Sequence, residues 1–341
     1  MNFDEQMMQR CLELANLGLG LTYPNPLVGC VIVHENKIIA EGWHKKAGSP
    51  HAEVYAIQQI QDVEILKNST LYVSLEPCAH FGKTPPCADL IVKHQIPKVV
   101  IGTQDPFSKV NGLGIEKLRN AGIEVKVGVL EKDCQEVNKR FFHFHQFKRP
   151  YVILKWAETA NGRMGSLDDK QKWISNSYSK QLVHLWRTQE QAILVGTNTA
   201  KIDNPQLNAR LWSGNQPIRV VVDRKLELSK DLHLFDKSQP TLVLTEKEQE
   251  NESNLQFEQI SFGDDFIESI VKKLYESNIQ SVIIEGGKKV LEQFIESGNW
   301  DEARIITSNK VWEEGLVAPK IDGILQKEWK VEQDNIKILT R

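Results

Sequence analysis

The 341-residue sequence has no apolar run approaching the ~18 residues needed to span a bilayer, so no membrane-crossing helix is expected. Nor does it carry an excess of positive charge. Its 42 Lys and Arg stand against 45 Asp and Glu, a formal net charge of −3, which argues against a broad nucleic-acid-binding face. Cysteines are few and odd in number, at positions 11, 30, 78, 87 and 134, so a disulfide framework is not expected and metal binding becomes the first question. Repeats and low-complexity tracts are absent, and no GxGxxG turn marks a dinucleotide-binding Rossmann unit. The N-terminal MNFDEQMMQRCLELANLG has early acidic residues and no continuous apolar core, unlike an export signal. It reads as an amphipathic helix with Met7, Leu12, Leu14 and Ala15 near one face, and a cytoplasmic location is expected.

What is present fits a globular chain of two domains, with 40% hydrophobic and 26% charged residues. The boundary is expected within HQFKRPY (145–151), dividing the chain into 1–147 and 148–341, because Pro150 there precedes a new apolar run. In the first part, VGCVIV (28–33) and KIIAEG (37–42) suggest a hairpin turning at His34–Asn36. Helical spacing over 51–60, strands at 70–76, 98–102 and 123–130, and a proline-led helix start at 85–94 complete an α/β/α pattern. The second part alternates similarly. Strands are expected at 151–157, 191–196, 218–223, 240–245 and 281–286, and helices at 177–188, 265–277 and 288–297. The polar stretch 245–262 reads as a solvated connection.

Two short segments carry the chemistry. His51-Ala52-Glu53 stands at a helix start, and Cys78 and Cys87 follow at a strand end and at the next helix start. One imidazole and two thiolates suit Zn²⁺, and a fourth position left open makes the site catalytic rather than structural. Glu53, two residues after His51, is then placed to move protons between the attacking water, the substrate and the leaving ammonia. H-x-E with P-C-x-x-C is the signature of zinc deaminases, but here the eight residues AHFGKTPP separate the cysteines instead of two. Cys11, Cys30 and Cys134 have no such setting and read as small core residues. His143 and His145 read as part of an amphipathic segment rather than a second metal site.

PCAHFGKTPPC, together with Pro24-Asn25-Pro26-Leu27-Val28-Gly29 and Gly42-Trp43-His44 upstream, resembles the deaminase domain of the bifunctional riboflavin-biosynthesis deaminase–reductases. Leu154-Lys155-Trp156-Ala157, Lys172-Trp173-Ile174-Ser175, Asp203-Asn204-Pro205-Gln206-Leu207 with Arg210, Val222-Asp223-Arg224 and Glu285-Gly286-Gly287 resemble the reductase domain of the same family. The resemblance implies a cytidine-deaminase-like three-layer α/β/α domain followed by a dihydrofolate-reductase-like α/β domain. It also implies Zn²⁺ and NADPH as cofactors and a small pyrimidine ribotide as partner, with no nucleic acid or membrane. The substrate implied is 2,5-diamino-6-ribosylamino-pyrimidinone 5′-phosphate, deaminated at C2 and then reduced in its ribosyl chain. Asn25, His44, His80 and Lys83 become candidate contacts in the deaminase. In the reductase, Ala157, Trp173, Thr199, Asp203, Arg224 and Gly287 would line the nicotinamide cofactor, and Gln171, Arg187, Leu207, Arg210, Glu285 and Lys155 would hold the substrate. The two arginines suit its phosphate by bidentate pairing. A homo-oligomer is a further implication.

The family's SLDGR turn is replaced here by Thr159-Ala160-Asn161-Gly162-Arg163, in which Asn tolerates the same geometry as Asp but removes a carboxylate. Two other readings compete: a nucleobase or tRNA deaminase fused to an unrelated α/β domain, and a non-catalytic protein with a structural zinc. The charge balance and the spacer oppose the first, and Glu53 opposes the second.

Overall fold

Runs rich in Val, Ile and Leu become the inner strands of two separate sheets in the computed structural model, which describes residues 1–79, 85–107, 110–167 and 173–341. Two units are formed, Met1–Phe147 and Lys148–Arg341. No helix among the described residues is long and apolar enough to cross a membrane.

The first unit opens with α1 (Phe3–Asn16), started by a reciprocal capping box between Asn2 and Glu5. Then follow β1 (Gly29–His34), β2 (Lys37–Trp43), α2 (Ala52–Ile57), β3 (Ser69–Leu75), α3 (Cys87–Lys93), β4 (Lys98–Thr103), α4 (Leu113–Asn120), β5 (Glu124–Val127), α5 (Glu131–Val137) and α6 (Lys139–Phe147). The β1–β2 hairpin turns through Glu35 and Asn36, both at positive φ, as a two-residue primed turn requires. The sheet runs β2-β1-β3-β4-β5, with β1 antiparallel to its neighbours and β3, β4 and β5 parallel.

Period-2 alternation gives this sheet two apolar faces. Ile32, Leu71, Val99 and Ile101 pack against Ala56 of α2, Ile91 of α3 and Leu118 of α4, while Val31, Tyr72 and Val100 pack against Met8 and Leu12 of α1 and Cys134 of α5. Three layers result. Cys11, Cys30 and Cys134 are fully buried among these residues.

The second unit comprises β6 (Tyr151–Glu158), β7 (Arg163–Gly165), α7 (Ser177–Gln189), β8 (Ala192–Val195), α8 (Thr197–Asp203), β9 (Ile218–Val222), β10 (Thr241–Thr245), β11 (Leu255–Gln259), α9 (Phe266–Glu276), β12 (Ser281–Ile284), α10 (Lys288–Glu296), β13 (Glu302–Thr307), β14 (Leu316–Val317), β15 (Ile324–Val331) and β16 (Asp334–Thr340). Its sheet order is β11-β10-β9-β8-β12-β6-β13-β16-β15. The first seven strands in that order are mutually parallel, and the β16–β15 hairpin closes one edge antiparallel. Helices α9 and α10 cover one face through Ile270, Leu274, Leu291 and Phe294; α7 packs on the other through Val183 and Trp186. The carboxyl ends of β6, β8, β9 and β12 lie along one edge, where ligand clefts of parallel sheets open.

Two expectations change. The stretch 245–262 is not merely a connection, because Leu255–Gln259 forms β11, an edge strand parallel to β10 with only Leu255 buried. The strand expected at 123–130 ends at Val127, since Leu130 adopts a left-handed conformation (φ 51°) to start α5.

Candidate active sites

The N-terminal constellation is assembled by close packing of α2 on β2. Gly42 makes the approach possible: a Cβ there would collide with the Ala52 carbonyl and lie 2.7 Å from the Ala56 nitrogen. His51 is the N-cap of α2, and Glu53, in its first turn, is only 3% exposed. From the other side, β3 delivers Glu76-Pro77-Cys78, and Cys87 opens α3 with its N–H donated to Cys78 Sγ at 3.3 Å. His51 Nδ1 lies 3.6 Å from Cys78 Sγ and 3.3 Å from Cys87 Sγ, and the three donor atoms lie within 4.8 Å of one another.

These separations match the edge of a tetrahedron about Zn²⁺, roughly 3.5 Å for ordinary Zn–N and Zn–S bonds. The electrostatics agree. Hydrogen bonding to Cys87 and His51 brings the Cys78 thiol down to about 4, while the Cys78 contact and burial push the Cys87 thiol up. His51 is raised to about 9 by its hydrogen bond to Cys78. Burial raises the Glu53 carboxyl, against the opposing pull of His51. A carboxyl raised in this way holds a proton more readily than an exposed one, as a group that shuttles protons requires.

Among the residues expected to touch substrate, Asn25 and His44 lie beside the metal ligands. His44 stacks edge-on to His51 with centroids 5.5 Å apart, and its Nδ1 lies 3.1 Å from the Pro50 carbonyl. Donation to that carbonyl leaves Nε2 as acceptor for Asn25 Nδ2 at 3.0 Å. Burial lowers the His44 pKa, consistent with this neutral ring. His80 and Lys83 fall outside the described residues.

Glu76 was not singled out in the sequence. It is 4% exposed and accepts N–H bonds from Asp105 (3.2 Å), Gly112 (2.9 Å), Gly114 (2.9 Å) and Ile115 (3.2 Å). It thereby binds the N-terminus of α4 to the turn that carries Cys78. Gly114 sits so close to the Pro77 carbonyl that any Cβ would overlap it. The only signal in the sequence was an acidic residue immediately before Pro77-Cys78.

In the second unit, Arg187 of α7 forms a two-pronged ion pair with Glu285, at 3.1 Å (Nε–Oε1) and 2.7 Å (Nη2–Oε2), and donates its Nη1 to the Asn208 carbonyl at 2.9 Å. Lys155 of β6 lies 3.8 Å from the same carboxylate. Burial opposes charge on Glu285, but Arg187 and Lys155 outweigh it and hold the carboxyl down at about 2. Burial lowers the Lys155 ammonium, with Glu285 pulling the other way.

The residues expected at the cofactor divide into groups. Thr199 of α8 receives the Gly287 N–H at 2.9 Å, and Asp203 ends the same helix, its pKa raised by burial. Gly286 and Gly287 lie against Thr199 so tightly that a Cβ on either would come within 3.1 Å or 3.0 Å of it. Arg224 follows β9 and pairs with Glu246 at 2.7 Å over the Phe262 ring. Ala157 is near the carboxyl end of β6, and Trp173 is 54% exposed. Leu207, at φ 51°, is 2% exposed within the apolar cluster around Ile193 and Val221, so only its main chain is available to a ligand. Arg210 is exposed and touches Asn208 Oδ1 at 2.9 Å. Gln171 falls outside the described residues. In the replaced turn, Asn161 accepts from Thr159 and donates to the Trp312 carbonyl at 2.7 Å, so its side chain is tied down.

Residues 1–103 match the cytidine and deoxycytidylate deaminase zinc-binding region, and residues 150–312 match the RibD C-terminal domain. The riboflavin biosynthesis protein RibD of Aquifex aeolicus is 42% identical over 318 residues, covering 92% of this chain and 89% of that protein. The RibD of Synechocystis is 39% identical over 326 residues, covering 94% and 85%. Among solved structures, a diaminohydroxyphosphoribosylaminopyrimidine deaminase/5-amino-6-(5-phosphoribosylamino)uracil reductase from Thermotoga maritima has a TM-score of 0.89 at 37% identity, covering 99% of this chain and 98% of that one. RibD from Acinetobacter baumannii has a TM-score of 0.91 at 34% identity, with the same coverage. A fusion to an unrelated second domain is not favoured, because the match at 150–312 comes from the same family as the whole-chain relatives.

Proposed function

The chain belongs to the RibD family of riboflavin biosynthesis proteins, and from that premise we propose how its two units divide a deamination and a reduction. It is a zinc-dependent deaminase and an NADPH-dependent reductase acting on a small pyrimidine. The substrate of the first step is the diaminopyrimidinone ribotide. Water adds at C2, ammonia leaves, and the uracil ribotide then accepts a hydride at C1′ and a proton to become the ribityl product.

In the deaminase, His51, Cys78 and Cys87 would hold zinc, which when bound supplies a Lewis acid able to bring the pKa of a water toward ~7. Glu53, buried and raised, takes a proton from the attacking water and returns it to the ring nitrogen and the departing amine. Asn25 fixes the neutral His44 beside His51, leaving both to border the pyrimidine.

In the reductase, NADPH supplies the hydride when bound. Thr199, Asp203, Arg224 and Gly287, with Ala157 and Trp173, border it along the carboxyl ends of the strands. Glu285 stays ionised and orients Lys155, whose burial loosens its proton. Lys155 is therefore the chain's own proton source beside C1′.

The observation that carries the reading is the convergence of His51, Cys78, Cys87 and buried Glu53 on one point. Incubation with the ribotide, zinc and NADPH tests it, with ammonia release expected to precede NADPH oxidation. Oxidation without prior ammonia release would refute the order. The reading places the enzyme in the cytoplasm as a homo-oligomer free of nucleic acid and membrane, which light scattering and fractionation check.

A further inference from the structure

Asn138 stands alone between α5 and α6 and is only 3% exposed. Its backbone serves the two helices, as the C-cap of α5 and as acceptor of the Phe142 N–H at 2.9 Å in α6. Its side chain serves neither. Oδ1 accepts the Leu27 N–H at 2.7 Å and Nδ2 donates to the Leu27 carbonyl at 2.8 Å, across 111 positions of sequence. Only a carboxamide of this length supplies that acceptor and that donor together.

Leu27 lies just before β1, whose pairing with β3 begins at Cys30. Toward β3 the support of this segment passes from backbone to side chains. The ladder holds Cys30, Ser74 Oγ accepts the Gly29 N–H at 3.1 Å, and Asn138 holds Leu27. The segment meets His44 on either side of Leu27. The Val28 carbonyl accepts the His44 N–H at 2.9 Å, and Asn25 Nδ2 reaches His44 Nε2 at 3.0 Å. A backbone shift of about 1 Å would carry that side-chain bond out of range. The two bonds from Asn138 fix the stretch of backbone that would have to move.

We propose that Asn138 is a positioning residue of the deaminase, setting Asn25 against His44 so that the substrate-facing side of the zinc pocket is formed before the pyrimidine arrives. The proposal rests on the deaminase reading above. It adds a residue outside the zinc-binding region matched at 1–103, one that touches Leu27 in place of metal or pyrimidine.

The test uses the full zinc-loaded chain as wild type, Asn138→Asp, Asn25→Ala and the double variant. Aspartate keeps the shape and the acceptor for the Leu27 N–H but sets an oxygen against the Leu27 carbonyl. In Asn138→Asp, kcat/KM for ammonia release from the ribotide is expected to fall about tenfold. Zinc per chain and NADPH oxidation of the deaminated ribotide should stay unchanged. In the Asn25→Ala background the same substitution should cost less than about twofold, because the contact it acts through is already gone. A further full loss there would overturn the proposal, as would loss of zinc from Asn138→Asp, since either would mark a support of the whole unit and not of this pair. Asn138→Ala removes both bonds without adding a charge and should lose as much; wild-type rates from it would also overturn the proposal. Nitrogen NMR of histidine-labelled chain reads the contact without any ribotide. Wild type should show His44 as a single neutral tautomer protonated at Nδ1, and Asn138→Asp should shift its Nε2 signal as Asn25→Ala does. An unmoved Nε2 signal in Asn138→Asp would overturn the proposal whatever pyrimidine the enzyme takes, so its failure is distinguishable from failure of the deaminase reading.

Discussion

Replacing Glu76 with Gln keeps the shape of a side chain that accepts four backbone N–H groups and exchanges one oxygen for an amide nitrogen. The two oxygens divide the work evenly, Oε1 serving Gly114 and Ile115 and Oε2 serving Asp105 and Gly112. Whichever position the NH₂ takes, two N–H donors lose their acceptor and face another donor, in a place only 4% exposed and closed to water. At about 1.5–3 kcal/mol for each hydrogen bond to a charged acceptor, the loss of two is about 3–6 kcal/mol. For a unit of this size that corresponds to roughly a 10 °C fall in its unfolding midpoint. Calorimetry of the full chain would show it as a shift of the N-terminal unit's transition, with that of the C-terminal unit left in place. Because Pro77-Cys78 follows directly, zinc should also leave the variant faster when challenged with a chelator. A midpoint lowered by less than about 3 °C would refute the claim that this carboxylate fastens α4 to the Cys78 turn.

Other perturbations reach different parts of the structure. Gly42→Ala should push α2 away from β2 and lower zinc content and ammonia release together while NADPH oxidation of the deaminated ribotide continues; normal zinc content would contradict the packing argument. Glu285, held at about 2 in the folded chain, contributes stability that is fully present above its ordinary value near 4.5 and is lost as pH falls toward 2, about 3 kcal/mol in all. Denaturant titrations between pH 6 and pH 3 should show that decline in wild type and a flatter profile in Glu285→Gln. The same variant should lose most reductase turnover, because Lys155 and Arg187 would face an amide instead of a charge.

The metal constellation was legible because its ligands sit in three short pieces whose neighbours announce their elements: Pro50 before α2, Pro77 after β3, Pro86 before α3. Parallel strands buried on both faces were legible for a similar reason, as in Val152–Leu154 and Val282–Ile284, where burial demands unbroken apolar runs. Glu76 was hidden because its partners lie 29 to 39 positions onward and are backbone groups, which leave no mark on residue type. The edge strands β11 and β15 escaped for the opposite reason: LQFEQ and ILQKEWKV are held mainly by ladder bonds, with most side chains in solvent. In the reductase, the sequence motifs found Arg187 and Arg210 as a pair, and only the fold separates them, one locked to Glu285 and the other exposed against Asn208.

The central claim is that three side chains hold zinc while a fourth, which does not, moves the protons. Glu53→Gln tests it most directly, with zinc measured by elemental analysis and ammonia release measured on the same preparation. The account predicts one zinc per chain, as in wild type, with ammonia release reduced at least about a hundredfold. Full ammonia release from a zinc-replete Glu53→Gln chain would contradict it.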